Sequence, residues 1–200
     1  MKSLNKYINE GLVKEGTKTK IQIKSIEGKV LFEYDCPGNT IRKTVEAAVK
    51  QKIELSNANL KGANLEGAQL NFADLTGADL KGANLEGANM ERVFLEDANL
   101  NGANFEGANM YIAVLKNANL EGANLKNANL ERASLYQANL CRANMEDAYL
   151  YHASLYHAKL EGATLVGAFL QNANLNGANL VGANFKGADL EGALLKNTKK

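Results

Sequence analysis

The chain has 200 residues, 46% of them hydrophobic, with 23 Lys and Arg against 22 Asp and Glu. This composition is typical of one globular domain, and no run of about 18 apolar residues exists that could span a bilayer. Residues 1–57 carry 11 basic and 7 acidic side chains, whereas residues 58–197 carry 10 and 15. These small charge imbalances produce only a weak electrostatic field, unlike the dense cationic face of a nucleic-acid binder. We therefore expect neither direct nucleic-acid binding nor membrane contact.

Targeting and redox signals point to the cytoplasm. The first residues, MKSLNKYINEGLVKEG, lack the continuous apolar segment of a signal peptide. The two cysteines, Cys36 and Cys141, lie far apart in dissimilar contexts, which is typical of free thiols in a reducing compartment. The sequence therefore predicts a cytoplasmic protein without a disulfide framework.

The N-terminal part of the chain predicts a small head of mixed α and β structure. Residues 2–13 predict a short helix. Two β-rich runs, KIQIKSI and KVLFEYD, are joined by Glu27 and Gly28 and so predict a hairpin. After a break at Cys36–Asn39, the run TIRKTVEAAVKQ predicts a helix with Asn39 or Thr40 as its N-cap.

From Ala58 to Asn197 the chain is a tandem array of 28 pentapeptides without insertion or deletion. Alanine occupies the first position in 27 of them, with Val93 as the exception, and leucine occupies the third position in 23. A period of five fits neither a helix nor an alternating strand, so it predicts a solenoid. The Ala and Leu columns are expected to face the interior, and the Asn, Asp and Gly positions to form turns.

The exceptions to the repeat recur at multiples of four pentapeptides. Phe105, Met145 and Phe185 replace leucine in this register, and so do Met90 and Met110. Four pentapeptides therefore make one coil, and 28 units make seven coils. Stacking at roughly 4.8 Å per coil predicts a rod on the order of 35 Å long.

The A-N/D-L-x-G tandem of residues 58–197 resembles the pentapeptide-repeat proteins. The resemblance implies a right-handed quadrilateral β-helix with Leu or Phe at the central inward position and Ala two residues before it. The spacing extends back to Ile53, where the alanine is missing. We therefore predict an all-β solenoid over 53–197, with an α+β cap over 1–52 and a tail of 198–200.

The two ends of the solenoid differ. The head is expected to cover the first coil, because terminal units of solenoids need a cap. At the other end, Leu194 and Leu195 are expected to lie beside exposed backbone groups. Either the terminal lysines discourage edge pairing, or two rods meet end to end in a homodimer. The resemblance favours the dimer, since many pentapeptide-repeat proteins associate through their C-terminal ends.

No catalytic or cofactor-binding motif is present, so we predict a protein that is not an enzyme and holds no cofactor or metal. His152 and His157 lie one pentapeptide apart near Asp147, but no further ligand completes a metal site. Solvated imidazoles are therefore expected. Cys141 has no cationic neighbour beyond Arg142, so an ordinary thiol is expected.

Bulky outward residues are confined to two sides of the predicted rod, and the other two sides keep glycine and glutamate. Phe72 is the first of these bulky residues. The candidate protein-binding patch consists of Arg92, Phe94, Tyr111, Ile112, Val114, Arg132, Tyr136, Tyr149, Tyr151, His152, Tyr156, His157 and Phe169. Aromatic residues with arginine are typical of a protein interface. Pairs spaced by four pentapeptides, such as Tyr136 and Tyr156, also suit stacking between coils. Both interpretations stay open.

Two functions follow from these features. The first is a non-enzymatic scaffold whose rigid rod presents a surface to a protein partner of unknown identity. The second is implied by the resemblance: quinolone-resistance members protect DNA gyrase by mimicking the shape and negative charge of duplex DNA. The small net charge of residues 58–197, interrupted by Arg92, Arg132 and Arg142, disfavours the second. A consensus-like engineered sequence is a further alternative, against which Val93 and Lys159 argue.

Overall fold

The computed structural model describes residues 18–200, so the helix predicted at 2–13 lies outside the described residues. The described chain contains a β-hairpin, one α-helix and a long array of parallel β-bridges, in that order. In this part of the chain no helix has both the length and the apolar character needed to cross a membrane.

The hairpin forms where the sequence predicts it. Strands β1 (Lys18–Lys24) and β2 (Val30–Pro37) pair antiparallel in a two-stranded sheet. The turn between them contains a hydrogen bond from Gly28 N to Ser25 O of 2.9 Å. Gly28 has a φ of 88°, which glycine adopts without steric penalty because it has no Cβ.

Helix α1 (Ile41–Lys50) follows the hairpin, and Thr40 rather than Asn39 is its N-cap. The Thr40 Oγ1 accepts a hydrogen bond of 3.2 Å from Lys43 N. Asn39 is buried, and its Nδ2 donates to Tyr34 O at 2.8 Å. This amide therefore fixes the start of the helix against the hairpin.

The head packs on the first coil and pairs its backbone groups. Asn59 N donates to Lys24 O at 2.7 Å. Gln69 N donates to the Glu46 Oε1 at 3.0 Å. These bonds satisfy groups that would otherwise form an open edge. The head also extends the apolar core through the buried residues Ile23, Val45 and Ala48.

The rest of the chain is a four-sided coil in which each turn takes four pentapeptides. Every parallel bridge joins a residue to the one four pentapeptides later, as Asn84 to Asn104, and four sets of bridges alternate along the chain. We number the faces 1 to 4 by the first bridged residue of each, which are Asn59, Asn64, Gln69 and Asp74. Backbone hydrogen bonds tie successive coils together: Asn104 N, for example, donates to Ala83 O at 2.9 Å.

The interior of the coil is formed by the two apolar columns, as predicted. From Ala68 to Ala178 every residue of the Ala and Leu columns, including Val93, is at most 5% exposed. The fifth residue of each pentapeptide turns the corner with a φ between 53° and 71°. This left-handed conformation explains why glycine and asparagine are frequent there.

Candidate interaction surface

The corner between faces 3 and 4 departs furthest from the repeat. Its left-handed residues in five successive coils are Phe72, Arg92, Ile112, Arg132 and His152, which we call the bulky corner; their φ values lie between 55° and 62°. At the corner between faces 1 and 2, the corresponding residues are Gly62, Gly82, Gly102, Gly122, Arg142, Gly162 and Gly182. Residues with a Cβ adopt this conformation at a cost of about 1–2 kcal/mol, and the β-branched Ile112 is the least suited to it.

All residues of the predicted patch lie on faces 3 and 4 and the corners that border face 4. Face 3 carries Tyr149 and Phe169, and face 4 carries Phe94 and Val114. The corner between faces 3 and 4 carries Arg92, Tyr111, Ile112, Arg132, Tyr151 and His152, and the corner after face 4 carries Tyr136, Tyr156 and His157. The coil therefore brings together residues that are far apart in the chain, from Phe72 to Phe169.

The aromatic rings in the later coils stack on one another. The ring centroids of Tyr136 and Tyr156 are 5.8 Å apart, with planes 10° from parallel. Phe169 stacks on Tyr149 at 5.2 Å and on Tyr151 at 5.8 Å. These distances are close to the spacing of neighbouring strands, so the rings support the stacking of coils.

The aromatic rings in the earlier coils remain available. Phe72 and Phe94 are 56% and 44% exposed. Within residues 18–200 no aromatic ring stacks on either of them or on Tyr111. The Arg92 guanidinium lies 5.6 Å from the centre of the Phe72 ring. The predicted patch therefore divides into a stacked part and a part with free apolar surface.

Faces 1, 2 and 3 carry asparagine ladders between coils, a feature that was not predicted from the sequence. Asn104 Nδ2 donates to Asn84 Oδ1 at 3.1 Å, and Asn124 Nδ2 donates to Asn104 Oδ1 at 2.9 Å. The same Asn104 Oδ1 accepts from Glu106 N at 3.2 Å and so closes the next turn. The recurrence of Asn at every fourth pentapeptide could have predicted these ladders, because stacked side-chain amides pair as hydrogen-bond donor and acceptor.

The two histidines occupy different corners. His157 meets the Tyr156 ring edge to face, with centroids 4.2 Å apart, whereas His152 belongs to the bulky corner. In residues 18–200 no group of three or more His, Cys, Asp and Glu side chains is arranged to hold a metal ion.

Cys141 is half-buried, and its Sγ donates to Glu161 Oε2 at 3.2 Å. Burial, followed by the hydrogen bond and charge of Glu161, raises the pKa of the Cys141 thiol. A raised pKa lowers the thiolate fraction and hence the nucleophilicity. Glu161 lies one coil after Cys141, so the period of four pentapeptides could have identified this pair.

An open groove of about 810 Å³ lies where the head meets the first coil. Its apolar lining includes Val49 of α1, Ile53 and Phe72. A continuous coil alone offers no concave pocket, and the groove exists because the helix ends beside faces 3 and 4. Phe72 therefore belongs both to this groove and to the bulky corner.

Leu194 and Leu195 differ in orientation. Leu194 lies on the outer side of face 4 and is 50% exposed. Leu195 points inward and is partly buried against the core, together with Phe185 and Leu190. Only Leu195 therefore belongs to the end of the apolar axis.

These features define a β-solenoid built from five-residue units. A family model of pentapeptide repeats matches the chain, with eight copies in all. The matched ranges overlap and together cover residues 53–197: they are 53–92, 78–117, 91–127, 113–147, 128–166 and 158–197. The chain belongs to the pentapeptide repeat family, whose fold is a right-handed quadrilateral β-helix. The predicted family and the predicted right-handed quadrilateral β-helix are therefore confirmed. No curated protein matches the chain significantly.

Several solved structures are similar to this chain. A pentapeptide repeat protein from the Arabidopsis thaliana thylakoid lumen is 30% identical, over 49% of this chain and 68% of its own, with a TM-score of 0.48. HetL, involved in heterocyst differentiation regulation in the cyanobacterium Nostoc sp. strain PCC 7120, is 32% identical over 74% and 84%, with a TM-score of 0.32. A trypsin-treated form of QnrB1, a plasmid-mediated fluoroquinolone resistance protein, is 22% identical over 70% and 76%, with a TM-score of 0.53. At this identity the likeness to QnrB1 concerns the fold alone.

Proposed function

We propose that the protein is a non-enzymatic scaffold whose rod presents faces 3 and 4, and the bulky corner between them, to a protein partner. The observation that carries this proposal is the series of five residues with side chains in a left-handed conformation. Glycine would serve the fold at these positions, as it does at the corner between faces 1 and 2. Residues held in disfavoured backbone conformations cluster at functional sites.

The surface chemistry of the same region supports the proposal. The Arg92 guanidinium lies 5.6 Å from the centre of the exposed Phe72 ring, and Arg132 occupies the same corner two coils later. The exposed Phe94 ring lies on the adjoining face 4. Exposed aromatic and arginine side chains contribute most of the binding energy in protein interfaces. A contiguous exposed apolar surface of this kind is typical of an interaction site.

The number of coils, the absence of catalytic activity and the cytoplasmic location are part of the same proposal. We place seven coils in residues 58–197, since each coil takes four of the 28 pentapeptides. The outer side of such a rod is convex, whereas small-molecule chemistry usually needs a concave pocket, which supports a protein without catalytic activity. The two free cysteines, Cys36 and Cys141, support a cytoplasmic location.

Restoring glycine at the bulky corner tests the proposed surface. We expect the combined variant Arg92→Gly, Ile112→Gly and Arg132→Gly to fold normally, because the relief of about 1–2 kcal/mol of strain per site offsets the added chain entropy. Capture of the protein partner from the organism's own extract is expected to be lost. The measurements are circular dichroism with thermal melting, and a pull-down that compares the variant with the wild type.

The same change at another corner is the control. Asn117→Gly and Asn127→Gly also place glycine at left-handed positions, outside the bulky corner. Both controls are expected to retain the partner. The proposal is wrong if the triple variant captures the partner as well as the controls do, and unfolding of the triple variant would show that these side chains are structural.

A gyrase-directed DNA mimic is the second candidate. The acidic residues Glu66, Glu86, Glu106 and Glu146 form one column at the corner between faces 2 and 3, and QnrB1 is a fluoroquinolone resistance protein with a similar fold. Asparagine amides donate hydrogen bonds to Glu86 and Glu106, so these carboxylates are partly engaged. Lys126 interrupts the column and pairs with Glu146 at 3.3 Å, which offsets part of its negative charge. In a gyrase supercoiling assay with a fluoroquinolone, neither protection nor inhibition at micromolar protein would eliminate this candidate.

An end-to-end homodimer through the last coil completes the proposed assembly. Phe185, Leu190 and Leu195 are less buried than the same columns in earlier coils. A second rod placed against these residues would cover the apolar axis and pair the backbone groups of the coil. Sedimentation velocity distinguishes this contact from a lateral one, because charge reversal on face 4 would leave an end-to-end dimer intact.

A further inference from the structure

We propose that face 4 is self-complementary, and that two copies of this protein pair side by side and parallel, about a two-fold axis that runs along the rod. The inference rests on the proposed interaction surface and names a second copy of the chain as its occupant. It starts from one row of residues in the coil of residues 78–97.

Arg92, Phe94 and Glu96 form this row across face 4. Val93 and Leu95 between them are fully buried, so the three outward side chains alternate with inward ones. Arg92 lies at one edge of the face, the 44% exposed Phe94 at the centre and Glu96 at the other edge. The row therefore reads cation, aromatic, anion from one edge to the other.

A two-fold axis parallel to the rod leaves each row at the same position along the rod and reverses the order of its residues across the face. Arg92 of one copy then lies opposite Glu96 of the other copy, twice, and Phe94 meets Phe94. An antiparallel pairing keeps the lateral order instead, so that the edge with Arg92 and Arg132 faces the same edge of the other copy. Because like charges across an interface are repulsive, the charges select the parallel arrangement.

The next two rows fit the same operation, whereas the preceding row places Asp74 opposite its own copy, which opposes pairing at that end of the face. In the next coil Val114 lies at the centre of face 4 and meets its own copy, while the aliphatic stem of Lys116 lies opposite Ile112. One coil further, Arg132 lies opposite the Tyr136 ring of the second copy, an arrangement that suits a cation–π contact. The small Ser134 occupies the centre of that row and allows close approach.

The charged groups of face 4 are only weakly held within one copy. Arg92 lies 5.6 Å from the centre of the Phe72 ring, and Arg132 lies 3.6 Å from Glu131 with both side chains exposed. Arg92 pairs with Glu91 only at 3.7 Å, with both side chains at least 36% exposed, and such pairs contribute little to stability. In the part of the chain that the structure describes, Glu96 and Lys116 form no ion pair. The three rows centred on Phe94, Val114 and Ser134 extend over roughly 10 Å along the rod, so the interface is small and the dimer is expected to be weak and concentration-dependent.

Charge reversal tests the pairing by sedimentation velocity, from low micromolar to near-millimolar protein. The wild type is expected to pass from monomer to dimer. Arg92→Glu alone and Glu96→Arg alone each place like charges opposite one another, so each is expected to dimerise at least about tenfold more weakly. An equimolar mixture of the two variants restores both opposite-charge contacts and is expected to form a heterodimer, as is the double variant with itself.

Circular dichroism checks that the variants are folded, and Phe94→Ser is a second variant that leaves the charges unchanged and is expected to weaken the dimer. A wild type that stays monomeric at every concentration overturns the inference. A dimer that neither charge reversal weakens lies elsewhere, as at the last coil, and also overturns it. The scaffold proposal is judged separately, because a monomeric protein whose glycine variant loses its partner would leave that proposal intact.

Discussion

Leu120→Asp is expected to unfold the solenoid. Leu120 is fully buried in the central column, between Leu100 and Leu140 of the neighbouring coils. Removal of a buried leucine side chain costs about 2–5 kcal/mol by itself. An unpaired carboxylate in the same place adds several kcal/mol more, which together approach the whole stability of about 5–15 kcal/mol of a typical domain.

The measurement is thermal melting at neutral pH, monitored by circular dichroism. We expect either no cooperative transition or a far lower melting temperature than that of the wild type. Lys81→Asp is the matched control, because Lys81 is exposed at a corner and its replacement is expected to change the free energy of unfolding by less than about 0.5 kcal/mol. If Leu120→Asp melted like the wild type, the apolar column would not be the axis on which the coils stack.

Gly177→Ala is expected to destabilise the protein more than Gly102→Ala. Both glycines turn corners, with φ of 71° and 64°, so alanine at either position incurs about 1–2 kcal/mol of left-handed strain. A Cβ at Gly102 would meet no atom within 4 Å. At Gly177 it would overlap the His157 Nδ1 and would push that ring from its contact with Tyr156. We expect a total loss of about 2–3 kcal/mol at Gly177.

A double-mutant cycle separates the clash from the strain. With His157→Ala already present, the effect of Gly177→Ala should fall to that of Gly102→Ala, since only the backbone strain remains. The free energies of unfolding from urea titration provide the comparison. Equal effects of Gly177→Ala with and without His157 would mean that the imidazole does not occupy the space over Gly177.

The asparagine positions show how the same residue can have two roles of which only one is local. Asn104 Oδ1 accepts from Glu106 N, a bond between residues two apart that the sequence pattern predicts. Its Nδ2 donates to Asn84 in the previous coil, which requires the bridge between residues 84 and 104. The ladder therefore could not be predicted from the turn chemistry alone, although the period of four pentapeptides contains it.

The aromatic patch shows the same division. Its confinement to two sides was visible in the sequence, and the structure brings its members to faces 3 and 4 and their bordering corners. Whether a ring is stacked or free depends on what lies one coil away: Tyr136 stacks on Tyr156, whereas Phe94 is followed by Val114 and stays exposed. The row of Arg92, Phe94 and Glu96 was missed because Glu96 is unremarkable without its position across a flat face.

The sequence by itself determined the repeat, the interior columns, the coil of four pentapeptides, the hairpin and the helix. These features follow from local spacing and burial, because a side chain on a strand or turn has its direction set by its place in the repeat. Only the tertiary structure decided that Thr40 caps α1, that Phe169 stacks on Tyr151 as well as on Tyr149, where Leu194 points and which residues hold left-handed strain. These properties depend on contacts with the neighbouring coil or with the head. The repeat alone does not determine which of several equivalent neighbours a side chain contacts.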